Sequence, residues 1–399
     1  MPHCRRALCL LLSLALLVLY PLSARAAKQE SLSLCPATTD LTVGDISARS
    51  AVLIDAASGQ VLYQKNANER LPMASTTKIM TALCALELAD INDVITVDAR
   101  AVGIEGSSVY LQAGETLTLL QLLYALLLQS ANDAAAAIAI GTAGSIEAFA
   151  AHMNEKAREL GLTDTHFDNP HGLDSENHYT TAKELGLIAR EVLAHPTLRA
   201  ICATRSITIP GAKEETARTL INHNKMLRTY QGAIGLKTGF TKKSGRCLVS
   251  AAERDGLTLI AVTLSAPDDW NDHTRMLDAG FATYERVSLC GDDGFQTILP
   301  VTGGCEPYVL VRNATDVALT LPRERGAMLC TVELDRFAYA GIAKGETVGQ
   351  LVFRCDLDGD NVAEELAKVP LTTAYAVARR HRAGLWQRFV VWLGRMIGK

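Results

Sequence analysis

The sequence lacks the patterns that most directly identify metal sites and nucleic-acid-binding proteins. Its 399 residues contain no C-x-x-C pair and no H-E-x-x-H motif. The segment from Ala27 to Lys368 contains 30 basic and 43 acidic side chains, which gives it a net charge of −13. Because phosphate binding requires concentrated positive charge, we expect no nucleic-acid partner. We also expect no cofactor and no catalytic metal.

Histidines and carboxylates do cluster between His166 and His178. Such side chains are the usual zinc ligands, so a metallopeptidase remains an alternative. Without the H-E-x-x-H spacing, we interpret His171 as a loop residue near the functional site. The other histidines of this stretch are expected on the surface.

No apolar run reaches the roughly 20 residues that a membrane-spanning helix needs. The run from Ala7 to Tyr20 follows two arginines and precedes the small-residue pattern Ala24-Arg25-Ala26. This arrangement predicts a cleavable signal peptide over residues 1–26 and export of a chain that begins near Ala27. A retained membrane anchor is the alternative.

Composition changes along the rest of the chain predict three further segments. Residues 27–285 mix helical and strand patterns, and residues 286–370 contain short β-branched runs broken by Gly and Pro. Residues 371–399 hold six Arg and Lys residues and no acid. We therefore predict a large first domain, a small all-β domain and a basic tail.

Hydrophobic spacing predicts an α+β (mixed α/β) fold for the first domain. Ala51 to Asp55 and Val61 to Gln64 flank a Ser58-Gly59 turn and indicate a β-hairpin, and strands return at Cys247 to Ala251 and Leu257 to Leu264. Helices are predicted at Ser75–Leu88, Leu117–Leu128, Ala134–Ile140, Ile146–Leu160, Ala182–Leu193 and Asp272–Glu285. A sheet closed by both ends of the domain and covered by helices fits this order.

Cysteine is the other feature that constrains the fold. Of ten cysteines, Cys4 and Cys9 fall in the predicted signal peptide, which leaves eight in a compartment that permits disulfides. Cys84 and Cys247 lie in apolar runs and are interpreted as small core residues. Four more are in the β-rich part, where two disulfides with three alternative pairings are possible: Cys290, Cys305, Cys330 and Cys355.

Three short motifs carry candidate chemistry: Ser75-Thr76-Thr77-Lys78, Ser130-Ala131-Asn132 and Lys237-Thr238-Gly239. Each occurs by chance often enough to be weak evidence alone. At the start of a predicted helix, Ser75 and Lys78 share one face, so the amine can reach the hydroxyl. A serine must lose its proton to a neighbouring base to act as a nucleophile. A helix N-cap beside a solvated lysine is the alternative.

The second and third motifs supply groups that suit a peptide substrate. The Asn132 amide can both donate and accept hydrogen bonds. Lys237 offers a positive charge and Thr238 a hydrogen bond, which recognition of a terminal carboxylate requires. Gly239 permits close approach of the backbone to a ligand.

Together these motifs resemble those of penicillin-binding proteins, and the chain looks like the low-molecular-mass serine D-alanyl-D-alanine carboxypeptidases. The resemblance covers Ala51 to Ala266 and includes Gly106-Ser107-Ser108, Ala113-Gly114-Glu115 and Asn169-Pro170-His171-Gly172-Leu173. Ala131 departs from the glycine of many members but leaves both functional side chains in place. The family also has a β-rich second domain and an amphipathic tail.

The resemblance implies a mechanism on a cell-wall stem peptide ending in D-Ala-D-Ala. Ser75 attacks the penultimate D-alanine carbonyl, Lys78 takes its proton, and Ser130 relays a proton to the leaving amine. Asn132 binds the substrate backbone. Lys237 and Thr238, beside Gly239, bind the terminal carboxylate. The backbone N–H groups of Ser75 and Phe240 form the oxyanion hole. β-Lactams are implied as covalent inhibitors.

Two other functions share these motifs. A class A-like β-lactamase is disfavoured by the extra β domain and the basic tail. A non-catalytic penicillin-binding scaffold or sensor is disfavoured by the intact set Ser75, Lys78, Ser130 and Lys237.

The tail has the pattern of an amphipathic helix. At 100° per residue its apolar residues from Leu385 to Ile397, except Val391, fall within one arc, whereas Gln387, Arg388, Arg395 and Lys399 lie opposite. Such a helix suits the interfacial layer of a membrane. We therefore expect the enzyme on the outer face of the cytoplasmic membrane, with packing on the second domain as the alternative.

Overall fold

The structure is a computed structural model that describes residues 41–212, 216–291, 293–357, 359, 362–380, 389–390, 392–393 and 395–396. The predicted signal peptide, residues 1–26, lies outside the described residues.

Helices cluster in the first two thirds of the described chain. They are α1 (Lys78–Leu88), α2 (Leu119–Leu128), α3 (Asn132–Ala143), α4 (Ile146–Glu159), α5 (Ala182–Ala194), α6 (Pro196–Ala203), α7 (Met226–Thr229) and α8 (Asp269–Thr283). Short 3₁₀ turns occur at Ala74–Thr77 and Ala99–Ala101.

The strands of the first domain are β1 (Ser50–Asp55), β2 (Val61–Lys65), β3 (Val94–Thr96), β4 (Thr116–Thr118), β5 (Ser206–Pro210), β6 (Ala217–Ile221), β7 (Ala233–Thr241), β8 (Gly245–Arg254) and β9 (Leu257–Leu264). Those of the second are β10 (Tyr284–Cys290), β11 (Gln296–Thr302), β12 (Tyr308–Asn313), β13 (Val317–Pro322), β14 (Leu329–Leu334), β15 (Ala338–Tyr339), β16 (Thr347–Cys355) and β17 (Glu364–Thr373).

An antiparallel five-stranded sheet organises the first domain, in the order β2-β1-β9-β8-β7. Its N-terminal hairpin therefore pairs with strands more than 190 residues later in the chain, which confirms the sheet closed by both ends of the domain. Strand β7 lies at the edge. It carries the Lys237-Thr238-Gly239 motif, which therefore lies on a strand that precedes the one predicted at Cys247.

Both faces of this sheet are buried, because side chains on a strand alternate between faces. Val52 and Ile54 pack into the core under helices α1 to α6, whereas Ala51 and Leu53 pack into the core under α8. The sheet is thus a central layer between two helical layers. The predicted α+β class is confirmed.

The predicted helices are present with adjusted ends. Helix α3 starts at Asn132, two residues earlier than predicted. Helix α8 ends at Thr283 instead of Glu285, because Tyr284 begins β10 and pairs with Pro322. Helix α6 and the hairpins β3–β4 and β5–β6 were not predicted.

The second domain is all-β, as predicted. A six-stranded sheet of order β14-β16-β17-β12-β11-β15 and the pair β10–β13 enclose a separate apolar core. Strand β17 continues to Thr373, and Gly304 forms a β-bridge with Arg379. The β-rich unit therefore extends beyond the boundary that we placed at residue 370.

All four cysteines of the β-rich part are free in the structure: Cys290 and Cys355 are buried, and Cys305 and Cys330 are exposed. The two disulfides considered from the sequence are therefore not formed. Strand register explains part of this, since Cys330 lies opposite Phe353 and Cys355 opposite Glu364. Cys84 and Cys247 are fully buried core residues, as predicted.

Within the described part of the chain, no single helix is both long and apolar enough to cross a membrane. Helices α3 and α4 meet the length and composition only as a pair, across an 85° bend. In the tail, residues 389–390, 392–393 and 395–396 are helical, and the large apolar side chains among them are exposed.

Candidate active site

Ser75 lies on the 3₁₀ turn that leads into α1, where the chain passes beneath the edge strand β7. A Cβ atom added to Gly239 would lie 3.1 Å from the backbone nitrogen of Ser75, so the strand and the turn pack closely here and a larger residue would force a small shift. The preceding residue, Ala74, has a positive φ of 47°. The turn thus presents the Ser75 hydroxyl and backbone N–H at the strand edge.

Lys78 is fully buried beside Ser75, and its amine has three hydrogen-bond partners. Nζ is 2.9 Å from Ser75 Oγ and 2.7 Å from Asn132 Oδ1, and it also donates to the carbonyl oxygen of His171. The last two partners can only accept. A neutral amine has two N–H groups and one lone pair, so donating to both acceptors leaves the lone pair directed at the Ser75 hydroxyl.

Electrostatics favour this neutral amine. Burial holds the pKa of Lys78 well below its ordinary value, and the nearby charge of Lys237 lowers it further, against an opposing effect of Asp133. A neutral amine in contact with a serine hydroxyl is the arrangement that general-base catalysis requires.

The loop after α4 supplies the third partner of Lys78. Asn169 Oδ1 accepts from the N–H groups of His171 (3.3 Å) and Gly172 (2.7 Å), while its Nδ2 donates to the Leu173 carbonyl (3.0 Å). Gly172 has a φ of +88°, and a Cβ there would lie 2.0 Å from the Ala74 carbonyl oxygen. This turn therefore packs directly against the nucleophile turn and fixes the His171 carbonyl.

His178 is buried in the structure, so its predicted surface location is wrong. Its Nε2 lies 2.7 Å from Thr77 Oγ1, and its Nδ1 accepts from the N–H of Asp168 at 3.1 Å. Burial lowers the pKa of His178 to about 4, so the ring is neutral with the proton on Nε2. It ties the loop to the turn that carries Ser75. His171 lies near the site, as predicted.

The second motif occupies the break between α2 and α3. Ser130 has a positive φ of 60°, and Asn132 begins α3. Asn132 Oδ1 accepts from Lys78, and Nδ2 donates to the Glu105 carbonyl at 2.5 Å. An amide retains one further donor and one further acceptor site, so Asn132 orients Lys78 in addition to the predicted role in substrate binding.

In the third motif, Lys237 is buried, whereas Thr238 and Gly239 line the cavity. Lys237 is 1% exposed, and its Nζ donates to the Thr238 carbonyl at 2.8 Å. Burial lowers the pKa of Lys237 to about 7. Because β7 is an edge strand, part of its backbone near Phe240 faces away from β8 and is available to a ligand.

A cavity of about 350 Å³ joins these elements. Its lining consists of Ser75, Ser107, Ser130, His223, Thr238, Gly239, Phe240, Arg246, Asp269 and Trp270. The sequence analysis missed His223, Arg246, Asp269 and Trp270. Arg246 is nine residues after Lys237, on the strand paired with β7, so hairpin register was the signal that could have found it.

Among the described residues, one group of side chains has the spacing of metal ligands: Cys84, Glu87 and His152, between α1 and α4. None of them belongs to the histidine-rich stretch from His166 to His178. The Lys156 amine already pairs with Glu87 at 2.6 Å, so an ammonium group takes the position that a metal ion would need.

Sequence comparison agrees with the geometry. Residues 37–268 match the family model described as D-alanyl-D-alanine carboxypeptidase. The chain belongs to this family. It is 32% identical over 357 residues to D-alanyl-D-alanine carboxypeptidase DacF of Bacillus subtilis, covering 86% of this chain and 90% of the relative. It is 31% identical to DacC of Escherichia coli, covering 80% of this chain and 82% of the relative.

Solved structures of the D-alanyl-D-alanine carboxypeptidase family show the same fold. Penicillin-binding protein 5 from Haemophilus influenzae has a TM-score of 0.70 at 26% identity, covering 85% of this chain and 99% of the neighbour. The D-alanyl-D-alanine carboxypeptidase from Mycobacterium tuberculosis has a TM-score of 0.58 at 34% identity, with 61% and 95% coverage. As a member, the chain is a serine-type peptidase.

Proposed function

We propose that this enzyme removes the terminal D-alanine from peptidoglycan stem peptides through an acyl-enzyme on Ser75. The observation that carries the proposal is the contact of the buried Lys78 amine with Ser75 Oγ, 2.9 Å away. Membership of the D-alanyl-D-alanine carboxypeptidase family supplies the substrate class.

The contact between Lys78 and Ser75 supports the following acylation step. The Ser75 oxygen attacks the penultimate D-alanine carbonyl as its proton moves to Lys78 Nζ. Backbone N–H groups of Ser75 and Phe240 are proposed to bind the oxyanion. Ser130 then relays the proton held by Lys78 to the leaving amine, so that Lys78 is neutral again as the C–N bond breaks and D-alanine departs. Water hydrolyses the ester to regenerate Ser75.

Lys237 and Thr238 are proposed to bind the terminal carboxylate, and Asn132 the substrate backbone. Cationic recognition of this carboxylate predicts a preference for substrates with a free C-terminus. β-Lactams, as covalent inhibitors, would acylate the same Ser75 oxygen.

The test is release of D-alanine from a synthetic pentapeptide ending in D-Ala-D-Ala. Wild-type enzyme is expected to release one D-alanine per peptide, and Ser75→Ala none. The matched control is Ser107→Ala, which removes a hydroxyl from the cavity lining outside the catalytic motifs. Rapid turnover of penicillin without D-alanine release would instead identify a β-lactamase.

We also propose export and attachment to the outer face of the cytoplasmic membrane through the tail. The support is the basic amphipathic pattern and the exposure of Phe389, Val390, Trp392, Leu393 and Met396. If the tail helix packed on the second domain instead, these apolar side chains would be buried against it.

A further inference from the structure

A buried carboxylate lies at the start of α3, beside the second motif, and the proposed mechanism gives it no role. Asp133 is 1% exposed, and both of its oxygens accept hydrogen bonds. Oδ2 accepts from Ser108 Oγ (2.6 Å) and the N–H of Leu111 (3.0 Å), and Oδ1 accepts from the N–H groups of Val109 (3.3 Å) and Ala134 (3.0 Å). Three of these donors belong to the loop of residues 105–111. Asp133 therefore binds this loop to α3.

The same loop holds Asn132. The backbone N–H of Asn132 donates to the Ser107 carbonyl at 2.7 Å, and its Nδ2 donates to the Glu105 carbonyl at 2.5 Å. Because the amide nitrogen is bound to the loop, the amide oxygen faces Lys78, whose Nζ lies 2.7 Å away. The hydrogen bonds of Asp133 thus reach the base through the loop and Asn132.

The negative charge of Asp133 acts on Lys78 as well. Burial and the charge of Lys237 lower the pKa of Lys78, and Asp133 opposes both effects. An amine whose pKa falls too far is too weak a base to take the proton of a serine. A carboxylate nearby stabilises the ammonium that Lys78 becomes when it takes the Ser75 proton.

We propose that Asp133 is a positioning residue for acylation: it fixes the loop that orients Asn132 and Lys78, and its charge stabilises the ammonium form of Lys78. The proposal rests on the function proposed above and deepens it. Asp133 takes up no proton in this scheme and acts only through its neighbours. A carboxylate with a purely structural role would stabilise the fold without affecting the base.

Asp272 offers a matched control on the other side of the central sheet. It is fully buried in the first turn of α8 and accepts from the Ser47 hydroxyl (2.7 Å) and from the N–H groups of Ser47 (2.9 Å) and Ala48 (3.0 Å). An Asp→Asn change at either position disturbs the same kinds of hydrogen bond, so both variants should have a lower Tm. Of the two carboxylates, only Asp133 affects the pKa of Lys78.

The experiment measures the rate constant of acylation by benzylpenicillin from pH 5 to 9. Asp133→Asn is expected to slow acylation about tenfold, because charge-assisted hydrogen bonds to the loop are lost. The acidic limb of its pH–rate profile should move to lower pH, because the ammonium form of Lys78 is destabilised. Asp272→Asn should keep the wild-type rate and the wild-type limb.

Three other titratable groups act on Lys78 from the neighbouring elements, and every variant retains them. Burial lowers the pKa of His171 to about 3 and that of His178 to about 4, so both rings stay neutral over this pH range. Lys237, on β7, has a pKa lowered to about 7. A shift of the acidic limb that is specific to Asp133→Asn therefore reports the lost carboxylate.

Ser108→Ala separates the two effects and keeps the proposal testable if Asp133→Asn does not fold. It removes one hydrogen bond and leaves the charge, so acylation should slow about fivefold with the acidic limb unmoved. An unmoved limb in Asp133→Asn, or a rate loss equal to that of Asp272→Asn, would overturn the proposal. A wild-type rate in Ser108→Ala would overturn it too. If the wild-type enzyme is not acylated on Ser75, the proposed function fails instead.

Discussion

At the scale of single residues, the site depends on two buried amines with different tasks. In the proposed mechanism, Lys78 must be neutral to accept the Ser75 proton, and Lys237 must be charged to bind a carboxylate. Burial lowers the pKa of both amines, to about 7 for Lys237, and the charge of Lys237 lowers the pKa of Lys78 further. The charge of Lys237 therefore favours the neutral form of Lys78 that the proposed mechanism requires.

The lowered pKa of Lys237 predicts a pH dependence of substrate binding. A lowered pKa means that the charged form is lost as pH rises through it, so Lys237 becomes neutral above about 7 in the empty site. A bound carboxylate favours the ammonium, so binding then takes up a proton. We expect KM for a free C-terminus to rise above pH 7, at most about tenfold per pH unit.

The measurement is KM from pH 6 to 9 on free and amidated peptides. The amide should show no such rise, and Lys237→Ala should remove it for the free terminus. A parallel rise on both peptides would show that Lys237 does not bind the carboxylate.

Single residues were predicted to different extents. Ser75 and Lys78 are three residues apart on one turn, so local spacing was sufficient to pair them. His178 was misplaced because its burial depends on the loop packing against Thr77, about 100 residues away in sequence. The contact between Arg246 and Asp269 likewise depends on how α8 packs on β8.

At the scale of elements, the 169–173 turn positions the base. Asn169 holds the backbone of His171 and Gly172, and the His171 carbonyl holds Lys78. Without these bonds the carbonyl is free to turn away, and the Lys78 lone pair is no longer aimed at Ser75.

We expect Asn169→Ala to slow acylation by penicillin about fivefold, since one well-placed hydrogen bond contributes roughly 1 kcal/mol. Asn169→Asp keeps the acceptor for both N–H groups and should recover part of the rate. Its added negative charge favours the protonated form of Lys78, so the acidic limb of the pH–rate profile should move to higher pH.

Asn154→Ala is the matched control. Asn154 clamps the same loop through two hydrogen bonds to the backbone of Phe167, away from Lys78. Similar rate losses and unshifted pH profiles in the Asn154 and Asn169 variants would mean that the turn only stabilises the loop.

Elements with strong periodicity were predicted well, including β9 over Leu257–Leu264 and the hairpin β1–β2. Short elements such as β3 and β4, three residues each, carry too little pattern to be recognised. Pairing, which makes β7 an edge strand beside Ser75, is set by contacts between distant segments and could not be predicted from local sequence.

At the scale of the whole molecule, the basic tail contains none of the residues of the three catalytic motifs. Truncation after Ala383 should release the mature enzyme from membranes and leave its activity on a small peptide unchanged. Each basic residue near an anionic surface contributes about 1 kcal/mol, so high salt should also weaken attachment of the full chain.

The assay is sedimentation with anionic phospholipid vesicles, with neutral vesicles as the control. Retention of the truncated protein on anionic vesicles, or its unfolding, would contradict a tail that acts as a surface anchor.

The central claim is that the chain forms an acyl-enzyme on Ser75, and one measurement tests it most directly. The intact protein is incubated with benzylpenicillin, weighed by mass spectrometry and then digested to locate the adduct. We predict a single penicilloyl group on the peptide that contains Ser75, and no adduct on the Ser75→Ala variant. An adduct on another residue, or unchanged labelling of that variant, would contradict the account.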